Sequence, residues 1–320
     1  MYLRSSLERS VPARVCLSNC EMGPPARMVA RGAGGTQAGP LRLPAPSSDS
    51  PAVPRPSARS ALYFVAGIAV VFFWVGTLFL VLMGEKGMVL AEWLLLFLPA
   101  LVFVRWSGGD LRTSLSLRRP SVAGVAGGLL LVVGATPVGW LLAWLQTLVF
   151  PVPWEMLEGM ERMLAADSPG PLLWLLVAVA VTPAVCEEIV FRGVLLGATR
   201  HLAPWRFLLL NGLVFGAFHL SLETWIRFLP TAWVGIVIAW AVWRTGSLFI
   251  GMLMHLVNNG VIVLAAAQPL PDEVTDPAAP PPLWLVPVAL LALAAGLRIT
   301  AELPGGPEPA SMDQPTSEAT

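Results

Sequence analysis

Eight apolar stretches, near residues 61–83, 88–106, 121–150, 171–198, 205–222, 228–243, 247–266 and 283–299, fill most of this 320-residue chain. A helix needs roughly 20 apolar residues to cross a hydrocarbon core of about 30 Å. Most of the stretches reach that length. The sixth and eighth are short, and the third and fourth are long enough to tilt or kink. Pro137 and Pro183 lie inside the third and fourth, where a missing N–H loosens the backbone without interrupting the apolar run. No alternation of strand period appears, so a β-barrel has no support. The expected fold is all-α, a polytopic membrane bundle of about eight transmembrane helices around an intramembrane cavity.

The segments outside the stretches have a different character. Residues 1–60 hold nine Pro and eight Arg with no long apolar run, and residues 301–320 hold four Pro among scattered acids. Such segments bury too little surface to offset their ordering entropy. Both read as disordered tails around a helical domain at 61–300. Cys16 and Cys20, with no His or further Cys nearby, make a poor metal site.

Charge adds orientation and excludes partners. The 20 basic and 20 acidic residues balance, so no overall field draws the chain to nucleic acid. With a cytoplasmic N-terminus, sixteen Arg fall inside, while Lys86, Arg162 and Arg227 are left outside. Glu155, Glu158, Glu161, Asp167, Asp272, Glu273 and Asp276 make those outer loops acidic. The positive-inside rule then puts both termini in the cytoplasm of a multi-pass cell-membrane protein.

Ionisable groups inside hydrocarbon are costly and by default mark function. Here they cluster: Glu187, Glu188 and Arg192 in the fourth stretch, His219 in the fifth, His255 with Asn258 and Asn259 in the seventh. Glu188 and Arg192 are i,i+4 in the favourable order for a helix ion pair, and Glu187 faces about 100° away. One carboxylate is thereby held while the other stays free for chemistry. His255 and Asn259 share a helix face, and Phe215 stands one turn before His219, where it can wall the site. At about 1.5 Å per residue, Glu187, His219 and His255 lie about 14–21 Å from the cytoplasmic ends of their stretches, a common depth.

Glu187-Glu188-x-x-x-Arg192, Phe215-x-x-x-His219 and His255-x-x-x-Asn259 resemble the three motifs of the CPBP family, the type II CAAX prenyl endopeptidases and bacteriocin-processing proteins also called the Abi family. The similarity covers about 171–267, and Arg227-Phe228-Leu229-Pro230-Thr231 also resembles bacterial members. The resemblance implies an intramembrane endopeptidase acting on a membrane-associated protein or peptide, with lipid as its surroundings. Glu187, assisted by His219, would activate a water. His255 and Asn259 would donate to the oxyanion, and Glu188, Arg192 and Phe215 would support the site. No cofactor is required on that reading. The same Glu187, His219 and His255 are also a possible three-ligand zinc set with an open water position, although no H-E-x-x-H helix is present.

Other readings of these residues remain open at this level. Single histidines in helices also serve packing hydrogen bonds, and Asn258 fits that role. His201 falls in a loop without chemistry. Cys186, beside Glu187, fits an inert buried thiol. A non-proteolytic scaffold or immunity protein of the same fold would keep such a cluster, as would a proton-coupled transporter, though no inverted repeat of interrupted helices is present.

Overall fold

The first two apolar stretches form a helical hairpin. α1 (Ala58–Met83) and α2 (Glu85–Trp106) are separated by Gly84 alone, whose φ of +62° favours a residue without a Cβ. α1 begins where the Ser57 hydroxyl accepts the Ser60 N–H at 3.1 Å, three residues before the apolar run itself. The computed structural model describes residues 56–150, 159, 162–220, 225–268, 279–303 and 305. Cys16, Cys20, nearly all of both tails, and the acidic loop residues other than Asp167 lie outside them.

Six further helices follow: α3 (Val122–Thr147), α4 (Pro169–Thr199), α5 (Pro204–Phe218), α6 (Trp225–Thr245), α7 (Leu248–Ala266) and α8 (Leu285–Ala301). No strand occurs among the described residues. α1–α4, α6 and α7 are long and apolar enough to cross a membrane, whereas α5 and α8 are shorter. The chain is an all-α, multi-pass membrane bundle.

Two lengths differ from the sequence reading. The sixth stretch is not short: α6 has 21 residues, because Arg227 and Trp225 are inside its first turns rather than in an outer loop. The fifth is the short one, with 15 residues and about 22 Å of length. α5 stops at Phe218, and His219 leaves the helical region with φ −92° and ψ 4°. Irregular backbone at membrane depth is tolerated only where it borders protein or a cavity. His219 borders both.

Burial ranks the helices. The most apolar window of α4 is 61% buried, against 17% for α1. α4 is therefore the centre of the bundle, and α1 presents residues such as Trp74, Val81 and Leu82 outward. α4 packs against α2 and α7, while α3 packs against α6, α7 and α8, and α5 against α6. Helices in lipid gain no hydrophobic drive from pairing, so close approach through small residues matters. A Cβ on Gly134 of α3 would stand 2.6 Å from the Ala289 carbonyl of α8, and one on Gly212 of α5 would stand 2.7 Å from the Ala232 carbonyl of α6.

Candidate active site

Pro183 is where α4 changes character. Proline has no N–H to return to the carbonyl one turn earlier, here that of Val179. The helix widens into π-turns on both sides, over Leu176–Val181 and Ile189–Leu195, leaving Thr182–Glu188 in ordinary α-helix. Widened turns are frequent at functional sites. The α segment between them ends in Glu187 and Glu188, both buried.

Glu188 is shared by two partners. Its Oε1 accepts from Arg192 Nη1 at 2.9 Å and lies 3.0 Å from His255 Nδ1. Arg192 is wholly buried. Its Nη2 donates to the Gly235 carbonyl at 3.0 Å, and its guanidinium lies 4.1 Å from the Phe215 ring centre. One ion pair thus ties α4 to α5, α6 and α7. Two glycines make room for it: a Cβ on Gly235 would come within 3.2 Å of Arg192 Nη2, and one on Gly251 within 2.8 Å of Glu188 Oε2.

These contacts fix the histidines. A carboxylate oxygen that already accepts from Arg192 also accepts from His255, so Nδ1 carries the proton there. His255 Nε2 is then turned toward Glu187 Oε2, 4.0 Å away. His219 Nδ1 donates to the Phe215 carbonyl at 2.8 Å, which caps the end of α5, and its Nε2 lies 3.7 Å from the same Glu187 oxygen. Glu187 Oε2 itself is buried without a hydrogen-bond partner among the described residues. Phe215 packs edge-on to both imidazoles, with ring centres 4.8 and 5.8 Å away.

Asn259 is held by a separate chain of bonds. Its Nδ2 donates to the Val179 carbonyl at 3.0 Å, and its Oδ1 accepts from Asn258 Nδ2 at 3.1 Å. Asn258 Oδ1 in turn lies 3.0 Å from Thr136 Oγ1. A carbonyl can only accept, so the Asn259 amide orientation is set by Val179 and one N–H is left over.

A cavity of about 450 Å³ opens beside these groups, lined by Phe215, His219, Arg227, His255, Asn258 and Asn259 together with apolar residues of α3, α6 and α7. Glu187 is not among the lining residues. It stands behind the two imidazoles, with 7% of its side chain exposed.

The structure brings together Glu187, Glu188, Arg192, Phe215, His219, His255 and Asn259, which are all the residues singled out in the three motifs. His201 lies apart, with Nδ1 3.1 Å from the Ala198 carbonyl, and Cys186 is buried in the packing among α1, α2 and α4. Asn258, read from the sequence as a packing hydrogen-bonder, joins Thr136 in the network that orients Asn259, and Arg227, assigned to an outer loop, lines the cavity. Two residues, Thr136 and Glu92, escaped the sequence reading. Glu92 of α2 is 3% exposed with Oε2 unpartnered among the described residues, near enough to Glu187 for their charges to interact. A carboxylate inside the second apolar stretch was the available signal.

The zinc alternative can be tested on the donors. Tetrahedral ligands at about 2.0–2.2 Å from zinc must converge on one point. Among the described residues no group of three or more His, Cys, Asp or Glu side chains is arranged to hold a metal ion.

Comparison with known proteins agrees with the motifs. Residues 169–261 match the family model described as type II CAAX prenyl endopeptidase Rce1-like. That segment is therefore similar to the family whose motifs the sequence resembles. It runs from α4 into α7 and contains all three motifs. No curated protein and no solved structure matches the chain. The protein is thus a membrane helix bundle in which residues 169–261 are similar to type II CAAX prenyl endopeptidases.

Proposed function

We propose that the chain is an intramembrane endopeptidase that hydrolyses a peptide bond near the C-terminus of a membrane-associated, CAAX-type protein or peptide without a metal. One observation carries this reading: the unpartnered Glu187 Oε2 facing Nε2 of both His219 and His255. A carboxylate oxygen and an imidazole lone pair 3.7 Å apart are both acceptors, and a water can bridge them by giving one hydrogen to each.

In the proposed reaction the water oxygen attacks the carbonyl carbon while its proton passes to Glu187. The resulting oxyanion accepts the spare N–H of Asn259, and a hydrogen bond from His255 Nε2 when that nitrogen carries a proton. Each such preorganised donor is worth about 10²–10³-fold in rate. Collapse of the intermediate breaks the C–N bond, and Glu187 returns its proton to the departing amine. Glu188, held by Arg192, orients the His255 ring rather than touching substrate. We also place both termini in the cytoplasm, on the charge asymmetry of the loops.

The test uses the full chain in lipid nanodiscs with fluorogenic, farnesylated CAAX peptides, products being read by mass spectrometry. Cleavage by the wild type and none by Glu187→Gln is expected. A folded wild type that cuts no membrane-associated peptide would overturn the reading.

A further inference from the structure

Arg227 is a cation in the wrong place for a helix in lipid. It sits in the first turn of α6 and lines the cavity with its side chain accessible from it. Arg227, Pro230, Thr231 and Val234 form one i, i+3, i+4, i+7 stripe on that wall, and Thr136, Gly139, Trp140 and Ala143 form the matching stripe of α3. The slot between them is apolar except at its ends.

Arg192, the other guanidinium at the site, is held by Glu188 and Gly235. Among the described residues Arg227 makes no hydrogen bond or ion pair, although its charge is felt by both Glu187 and His219. A guanidinium exposed to a largely apolar cavity, with N–H groups to spare, is suited to an anion that enters that cavity. The packing of α5 on α6 sets its level. A Cβ on Gly216 would meet Ala232 at 2.8 Å and the Phe228 carbonyl at 2.9 Å, so the end of α5 that carries His219 lies beside the start of α6.

We propose that Arg227 is the specificity-determining residue that docks the free C-terminal carboxylate of the peptide being cut. This rests on the peptidase reading above and adds what the substrate must end in. The competing role, stabilising the oxyanion, fits the geometry less well. Oxyanion donors work by being held in place before the reaction, as Asn259 is by Val179, whereas no hydrogen bond among the described residues holds the Arg227 guanidinium. An untethered guanidinium suits a flexible chain end, which it can grip with two parallel N–H bonds. The carboxylate then meets the guanidinium from the cavity side, and a short terminal segment lies along the apolar slot with its scissile bond toward His219.

The experiment compares two labelled CAAX peptides identical except for a C-terminal acid or amide, with binding measured by fluorescence anisotropy and turnover by product, on the full chain in nanodiscs. The acid should bind at least about tenfold more tightly than the amide. Arg227→Gln should bind both with the affinity of the amide, and Arg227→Lys should keep part of the preference. Arg227→Met serves as a second uncharged variant where Gln fails to fold. Equal binding of acid and amide by the wild type would overturn the proposal. So would a preference that survives in a folded uncharged variant, or a fall in turnover by one common factor for both peptides with preference intact. Preferential binding without cleavage would sink the peptidase reading and leave the docking role standing; cleavage without preference would do the opposite.

Discussion

The Asn259 side-chain amide donates to the main-chain carbonyl of Val179 at 3.0 Å, the carbonyl to which Pro183 has no N–H to give. A helix defect and a candidate catalytic side chain thus complete each other. The proline removes one donor from that acceptor, and backbone carbonyls inside a membrane bundle need partners. The asparagine meets it from α7 and is oriented by doing so, with its second N–H free for the cavity.

Restoring the missing donor should loosen Asn259. Pro183→Ala gives α4 an N–H that competes for Val179, and kcat is expected to fall roughly tenfold, since a small misplacement of a catalytic group is costly. Asn259→Ala alone should lose about 10²–10³-fold. Adding Pro183→Ala to Asn259→Ala should then change little, because the two act through one bond. Additive losses in the double variant would show that Pro183 acts elsewhere.

The two adjacent glutamates should fail differently. Glu187→Gln keeps the shape and removes the base, so cleavage should disappear while thermal stability stays near that of the wild type. Glu188→Gln leaves Arg192 buried without its counter-charge, which costs about 3–5 kcal/mol in comparable buried pairs, and it also frees the His255 ring. A large drop in melting temperature is expected for Glu188→Gln alone. Matching losses of activity at unchanged stability in both variants would refute this division.

The motifs made much of this site legible because helical geometry is periodic. The Glu188–Arg192 pair and the shared face of His255 and Asn259 follow from i,i+4 spacing along single helices. What spacing cannot show is which helices touch. The bond from His255 to Glu188 crosses from α7 to α4, and those from Asn259 to Val179 and from Thr136 to Asn258 also cross between helices. Arg227 was assigned to an outer loop because a charge beside an apolar run usually ends the run. Here the cavity, rather than lipid, receives the side chain, so the helix continues through it. The early end of α5 was hidden for a related reason. Hydropathy runs unbroken past Phe218, and only the capping of the Phe215 carbonyl by His219 marks the stop.

Orientation in the membrane is tested by reporter fusions after residues 110, 160, 202 and 275, which should read in, out, in, out when both termini are cytoplasmic. The short α5, with 15 residues, makes the fusion at 202 and the one at 275 the informative pair, because α5 through α7 must together reverse the side. An outside signal at 202 would invert the assignment drawn from the sixteen inside arginines.

Metal dependence separates the two chemistries that the same three side chains could serve. On the metal-free reading, Glu187 and His219 act on the water directly, and Asn259 with His255 meets the oxyanion, so exhaustive chelation should leave most activity intact. Added zinc should inhibit, because the ion would compete for the Glu187 carboxylate and both Nε2 atoms that the water and the intermediate need. A zinc enzyme behaves oppositely, losing activity as metal is stripped and recovering it near one equivalent of Zn²⁺. A chelator reaches a site within the bilayer slowly, and a trapped ion would then imitate resistance. Bound metal must therefore be measured by mass spectrometry on the same stripped sample used for kinetics. Activity proportional to bound zinc across partly stripped samples would overturn the metal-free mechanism and make Glu187, His219 and His255 the ligands.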